Sequence, residues 1–286
     1  MLPEMRRKPV IAIVGAGNLA SALAPAVKRA GYTIEIVASH RGSVAQTRAR
    51  RLAKEVGAHA SIGLPKDLKA GVVWFCVPDA EIARAAKTYA RDIAWKGRVV
   101  LHSSGALTSD ELASLRGRGA AAASVHPLMT FVRGSRPLLK EVPFAIEGDA
   151  AAVRLARQFV IDLGGRAYSI RKNDKAAYHA WGTFASPLFT ALLATTEEVA
   201  ALAGVRRGEA RRRMIPILRQ TLANYESLGA AGAFSGPIVR GDIETVKRHL
   251  RVLDRIPVAH EVYCSLALAA LHYLPGKNKA ALRKAL

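Results

Sequence analysis

A lysine and a histidine four residues apart, Lys175 and His179, lie in a segment that reads KAAYHAWGT. Either side chain can pass a proton near neutral pH if its surroundings tune it. In a helix this spacing puts both on one face. Thr183 extends the face by another turn. Pro187, four residues later, denies the Thr183 carbonyl a hydrogen bond and is expected to bend the helix. Such a pair suits a reaction that leaves charge on a heteroatom. Each residue also has a plainer reading, Lys175 as a solvated first-turn lysine and His179 as a hydrogen-bonded interface residue.

Other polar groups stand where strands are predicted to end. His126 follows the apolar run Ala121 to Val125 and precedes Pro127, which fixes the backbone just after it. A histidine placed in a cleft and a hydrogen-bonded turn residue both fit this pattern. Gly97 to Leu101 reads as a strand that delivers His102-Ser103-Ser104-Gly105 to the same edge, so Ser103 and Ser104 can hold a polar group of a ligand. The loop FSGPIVRGD, Phe234 to Asp242, has glycines flanking a proline and projects Arg240. Arg240 either holds a substrate carboxylate or pairs with Asp242 in its own loop.

The stretch Lys8 to Tyr32 is expected to position these groups. Val10 to Val14 is an apolar, largely β-branched run of the kind buried on both faces of a parallel sheet. Gly15-Ala16-Gly17-Asn18-Leu19-Ala20 then gives G-x-G-x-x-A. Gly15 permits the sharp turn, Gly17 lets backbone approach a pyrophosphate, and Ala20 lets the helix pack closely on the strand. The amides of the helix start, at Asn18 and Leu19, face the phosphates of a bound dinucleotide.

A second strand, Thr33 to Ala38, ends in Ser39-His40-Arg41-Gly42-Ser43, where an NAD enzyme carries a ribose-binding acid. No Asp or Glu occurs between Glu35 and Glu55. Ser39 and Arg41 suit a 2′-phosphate instead, so NADP (NADPH) is expected over NAD; Arg41 simply exposed in a loop is the alternative. Val72 to Val77 is the next buried strand, stopped by Pro78, and Val77 and Pro78 should border the cofactor. Asp79 is read as the cap of the helix that follows.

Strand patterns recur to Ile170 and long helical patterns follow, which places a domain boundary between 170 and 171. Asn173 is expected to cap a helix running to about Leu202. Further helices are expected over 207–228, 242–253 and 258–274, with a basic helix at the end.

Of the 286 residues, half are hydrophobic, and 43 Lys plus Arg against 22 Asp plus Glu give a net charge of +21. That balance favours anionic partners, although the basic residues are scattered and no recognition helix or aromatic RNA-binding motif accompanies them. Nucleic acid is therefore not the expected partner. Cys76 and Cys264 lack CxxC spacing and a neighbouring His cluster, which argues against a disulfide framework and a metal site. The N-terminal segment is too short and polar for a signal peptide, and no apolar run reaches membrane-spanning length. A cytoplasmic protein is expected.

GAGNLA, VPD, HSSGAL, SVHPLMTF, PFAIEGD, KAAYHA and SGPIVRGD, in this order along nearly the whole chain, resemble the Rossmann-like proteins with a C-terminal helical domain of unknown function. That family is similar in plan to pyrroline-5-carboxylate reductase, ketopantoate reductase and the β-hydroxyacid dehydrogenases. The resemblance implies an α/β Rossmann NAD(P)-binding domain over 1–170, with a mostly parallel doubly wound sheet, and an all-α domain over 171–286 that forms a homodimer. It also implies oxidoreductase activity. The Lys175–His179 segment resembles the Lys-x-x-x-Asn element of the β-hydroxyacid dehydrogenases, with His179 at the Asn position. Members usually carry an Asn near Ser186-Pro187, where this chain has Pro187. The expected activity is NADP-dependent hydride transfer to or from a small anionic carbonyl, imine or hydroxy compound, with Lys175 and His179 handling the proton and His126, Thr183 and Arg240 meeting the substrate. A non-catalytic NADP-binding sensor or scaffold is the alternative, since a fold does not establish a chemistry.

Overall fold

The structure, a computed structural model, describes residues 8–286. It divides into two compact units, the first ending at Thr183 and the second spanning Phe184–Leu286. The last strand ends at Ser169, beside the expected boundary, but the first unit continues past it. The reason is packing, because Lys175 and Tyr178 on the next helix are buried.

The first unit is built on strands β1 (Ile11–Val14), β2 (Ile34–Ser39), β3 (His59–Ile62), β4 (Val72–Phe75), β5 (Val99–His102), β6 (Ala121–Pro127), β7 (Pro143–Gly148) and β8 (Arg166–Ser169). They form one sheet in the order β3-β2-β1-β4-β5-β6-β7-β8. Every pairing is parallel except β6 with β7. The order reverses at β1 and β4, and in such sheets a ligand lies beyond the carboxyl ends of the strands at that point.

Helices α1 (Asn18–Arg29), α2 (Ser43–Val56), α3 (Asp79–Tyr89), α4 (Ala113–Arg116) and α5 (Ala150–Asp162) flank the strands. Alternation along each strand supplies two cores. Ile11, Ile13, Val72 and Trp74 pack on one face with Leu23, Leu52 and Phe159, while Ala12, Val14, Val73 and Phe75 pack on the other with Ile82 and Trp95.

The expected helix beginning at Asn173 is instead segmented. Lys172–Asp174 is a 3₁₀ turn, α6 covers Lys175–Thr183, Phe184–Leu188 is a π turn, and α7 covers Phe189–Leu202. Asn173 lies inside the 3₁₀ turn and is not its cap, which falls at Arg171. Pro187 lies in the π turn, so the hydrogen bond it cannot donate is absorbed by a widened turn.

In the second unit, α8 (Arg207–Ala233) is interrupted at Gly229, whose φ of 69° and ψ of 176° are not helical. A short α9 (Pro237–Arg240) occupies part of the expected loop, followed by α10 (Ile243–Leu253), α11 (Pro257–Tyr273) and α12 (Lys279–Ala285). Val246, Leu250, Leu271 and Leu282 form its small buried core. Among the described residues no single helix is long and apolar enough to cross a membrane.

Candidate active site

The glycine turn after β1 is shaped as the sequence requires. Gly15 has φ +103°, and a Cβ there would lie 2.4 Å from the Cys76 carbonyl oxygen, so only glycine fits between β1 and β4. Gly17 caps α1 in an extended conformation, and no side chain bonds the first-turn amides. The Asn18 side chain is turned aside, its Nδ2 donating to the Phe131 carbonyl at 3.1 Å, which leaves its main-chain N–H for a ligand.

At the tip of β2, Ser39 is buried and its hydroxyl has no partner among the described residues, while Arg41 is exposed. The residues at this edge therefore fit a dinucleotide. A close-approach glycine turn, a helix start without a side-chain cap and an orphaned hydroxyl stand where a pyrophosphate and a ribose phosphate would lie.

Beside the turn is a cavity of about 220 Å³ at the ends of β4, β5 and β6. Leu19, Val77, Ser103 and His126 line it, together with Phe75, Asp79, Pro127, Met129 and Phe131. Pro78 is outside this lining and precedes α3 as its N-cap. Asp79 was expected to cap that helix, but it makes no capping bond and accepts from Ser104 Oγ at 2.7 Å. Pro78 already holds the N-cap place, so the Asp79 carboxylate is free to turn toward β5.

The loop after β5 is pinned from within. Trp74 Nε1 donates to Ser103 Oγ at 2.9 Å. Ser104 is buried, and its hydroxyl, besides donating to Asp79, accepts from the Ala106 and Leu107 amides at 3.2 and 2.9 Å. His102, the last residue of β5, is fully buried and not presented to the edge. Its Nδ1 accepts from the Ser104 amide at 3.1 Å and its Nε2 faces the Thr108 carbonyl at 2.9 Å. Nδ1 must then be bare and Nε2 must carry the proton. Burial pulls this imidazole down to about 4, so it is a neutral structural pin.

His126, at the end of β6, meets the Tyr178 hydroxyl through Nδ1 at 2.8 Å. Burial first, then the neighbouring Lys175, His179 and His102, pull it down to about 3, so it too is neutral at physiological pH. A Cβ on Gly105 would lie 2.8 Å from His126 Nε2 and 2.8 Å from His179 Cδ2, so both imidazoles converge on that glycine. Their ring centroids are 6.4 Å apart.

Lys175 is also gathered into this site, but from beneath. It is fully buried, and Nζ donates to the Ser104 carbonyl at 3.0 Å and to Ser124 Oγ at 2.8 Å. Burial lowers it to about 8, while the carboxylates of Glu147 and then Asp79 act in the opposite direction. Glu147 is itself buried and accepts from the Ser109 amide and hydroxyl at 2.6 and 2.9 Å. His179 is exposed on the same helix. Thr183 donates its hydroxyl to the His179 carbonyl at 2.9 Å and serves the helix backbone.

Three members of the site, Gly105, Ser124 and Tyr178, escaped the sequence reading. Gly105 lay inside the quoted HSSG motif and Tyr178 inside KAAYHA, so the motif boundaries were the available signal. Arg240 belongs to the second unit, where it is exposed. It forms no ion pair with Asp242, which caps α10 by accepting from the Thr245 amide and hydroxyl at 3.0 and 2.8 Å. No cluster of metal ligands occurs among the described residues. A larger cavity, about 430 Å³, lies away from His126 between the starts of α1 and α2 and the segment 132–136, lined in part by Arg48, Arg51, Arg133 and Arg136.

Comparison with known proteins places these elements in a known plan. Residues 4–127 match a Rossmann-like domain, and residues 142–270 match a domain of unknown function, DUF2520. None of the curated proteins matches the chain. A candidate NADP oxidoreductase from Bacteroides fragilis superposes with a TM-score of 0.76 at 22% identity, over 92% of this chain and 97% of that one. A protein from Thermotoga maritima gives 0.68 at 24%, over 96% and 97%. An imine reductase from Myxococcus stipitatus, solved with NADP⁺, gives 0.64 at 17%, over 96% and 98%. At these identities the likeness is one of fold.

Proposed function

From a chain that joins a Rossmann-like domain to a DUF2520 domain, we propose an NADP-dependent oxidoreductase that moves hydride between the nicotinamide and a small anionic carbonyl, imine or hydroxy compound. The observation that carries the reading is the convergence of His126 and His179 on Gly105 at the sheet edge that also holds the glycine turn. A ligand seated on the turn and extended toward β5 brings its far end to the cavity lined by Ser103 and His126. Imine reductases and reductive aminases with NADP⁺ or NADPH bound share this fold, which supports the same cofactor here.

Gly15, Gly17 and the amides of Asn18 and Leu19 hold the pyrophosphate, Ser39 and Arg41 the 2′-phosphate, and Val77, Pro78 and Ser103 border the nicotinamide. The cofactor, when bound and reduced, supplies the hydride. His126 meets the reacting group, and exposed His179 exchanges the proton with solvent. Buried Lys175 sets the charge behind the loop and, through the Ser104 carbonyl, holds Gly105 against the two imidazoles.

We also infer a homodimer through the helical unit. Of the 27 residues of α8 only Ala210 is buried, and Ile217, Leu222, Tyr225 and Leu228 are exposed.

The test is a screen of 2-oxo acids, cyclic imines and hydroxy acids with NADPH and NADP⁺, read by nicotinamide absorbance. Hydride transfer to or from one class, with NADPH preferred to NADH, is the expected result. Tight NADPH binding without transfer to any class would instead favour a cofactor-binding sensor.

A further inference from the structure

Tyr178 is absent from every role assigned above, yet it makes the side-chain hydrogen bond to His126 among the described residues. Its side chain is buried, and its ring meets His126 edge-on at 5.4 Å, with Trp181 at 6.1 Å and Tyr168 at 6.3 Å on other sides. Its hydroxyl lies between two polar groups, His126 Nδ1 at 2.8 Å and the buried hydroxyl of Tyr168, which has no other partner among the described residues.

We propose that Tyr178 is a positioning residue: it donates its hydroxyl to His126 Nδ1, holds the ring as the Nε2–H tautomer, and so presents an uncharged N–H donor to the heteroatom of the hydride acceptor. This rests on the oxidoreductase reading of the site.

A buried hydroxyl left unpaired costs about 1–3 kcal/mol. Both phenols are served when Tyr168 donates to the Tyr178 oxygen and Tyr178 donates to the imidazole nitrogen, the stronger acceptor of its two neighbours, at 2.8 Å. Burial, then the neighbouring Tyr168, raises the Tyr178 phenol far above its ordinary range, so the proton stays on the hydroxyl. A neutral imidazole carries one proton, and with Nδ1 accepting, that proton must sit on Nε2. Nε2 has no hydrogen-bond partner among the described residues, abuts Gly105, and belongs to a residue that lines the cavity beside Val77 and Ser103.

The same arrangement narrows the acceptor. An N–H donor needs a lone pair, which a carbonyl oxygen or a neutral imine nitrogen offers and an iminium nitrogen lacks. When a carbonyl is reduced, hydride from the reduced nicotinamide bonds to the carbon. The π pair moves to oxygen, where Nε2–H stabilises the growing charge, and the oxygen then takes a proton from the solvent side, where His179 stands. The nicotinamide is oxidised by two electrons and the carbonyl is reduced by two. His126 is not consumed, because it lends a hydrogen bond and keeps its proton.

The tautomer can be read without turnover. The full chain is labelled with ¹⁵N-histidine, and long-range ¹H–¹⁵N spectra are recorded near pH 7, with the His126 signals identified by their loss in His126→Gln. The native protein should show His126 as a pure Nε2–H imidazole. Tyr178→Phe should convert it to a mixture of both tautomers, while Tyr168→Phe leaves it unchanged. In a parallel assay with NADPH and glyoxylate, Tyr178→Phe should lower kcat about tenfold at constant KM for NADPH, as expected for a contact that acts in the chemical step. An Nδ1–H or protonated His126 in the native protein, or a tautomer indifferent to Tyr178→Phe, overturns the proposal whether or not turnover is seen. A pure Nε2–H His126 in a protein that reduces none of the probes sustains the tautomer assignment and removes only the oxidoreductase reading.

Discussion

The two ends of the first unit's sheet edge are built in opposite ways. The turn after β1 is five consecutive residues, Gly15 to Leu19, acting through backbone and through the absence of side chains. The site around His126 is assembled from side chains on β6, α6 and the loop after β5, with Lys175 reaching across 71 positions to Ser104 and Tyr178 across 52 to His126. A binding turn can thus be written locally, whereas the site of chemistry exists only once the sheet has closed. The two ends should fail separately when mutated.

The largest effect is expected at Gly15→Ala. The new Cβ would sit 2.4 Å from the Cys76 carbonyl oxygen at a φ of +103°, so the turn must move and the strained backbone adds its own cost. We expect NADPH affinity, measured by fluorescence titration, to fall at least about a hundredfold, roughly 3 kcal/mol. A Kd within a few-fold of the native value would show that the turn does not carry the pyrophosphate.

Gly105→Ala sharpens the contrast from the other end. Here φ is ordinary and the obstacle is purely steric, because the added methyl meets both imidazoles at 2.8 Å. The rings can tilt away, so the fold and NADPH affinity should survive while the reacting geometry is lost. For the substrate found in the screen, kcat should drop by about one to two orders of magnitude at unchanged NADPH Kd. Equal losses in both quantities would mean that the two ends are one cooperative site.

This division also explains what was legible in the sequence. Continuous apolar runs and the glycine spacing foreshadowed β1, α1 and β2, because buried parallel strands and phosphate turns impose local rules. Helix ends were less legible where side chains chose among partners: Asp79 turned to Ser104, and Asn173 was absorbed in a 3₁₀ turn. Lys175 and His179 were picked out by spacing, yet nothing local foretold that one would be fully buried and the other exposed. Their surroundings are set by Ser104, Ser124 and Gly105, residues more than fifty positions away in the chain. Tyr178 was passed over because an apolar ring in a helix reads as core until its hydroxyl is seen against His126.

The smallest predicted effect is at the tip of β2, where selectivity between the two dinucleotides is decided. The carboxylates nearest in sequence are engaged elsewhere: Glu35 accepts from the Lys69 amide at 3.1 Å, and Glu55 pairs with Arg136. Among the described residues no acid therefore stands at the tip to repel a 2′-phosphate or to bind a free ribose hydroxyl, while the buried Ser39 hydroxyl and the exposed Arg41 can both receive a phosphate. A charge-assisted hydrogen bond contributes about 1.5–3 kcal/mol, so Arg41→Ala should weaken NADPH by about tenfold or more. NADH has no 2′-phosphate for Arg41 to hold, and its affinity should not change. Because Arg41 is exposed, raising the salt concentration should shrink the native preference for NADPH and leave the variant nearly indifferent. Equal affinity of the native protein for NADPH and NADH would remove the assignment of Ser39 and Arg41 to the 2′-phosphate. It would leave the glycine turn's role intact, since the pyrophosphate is common to both.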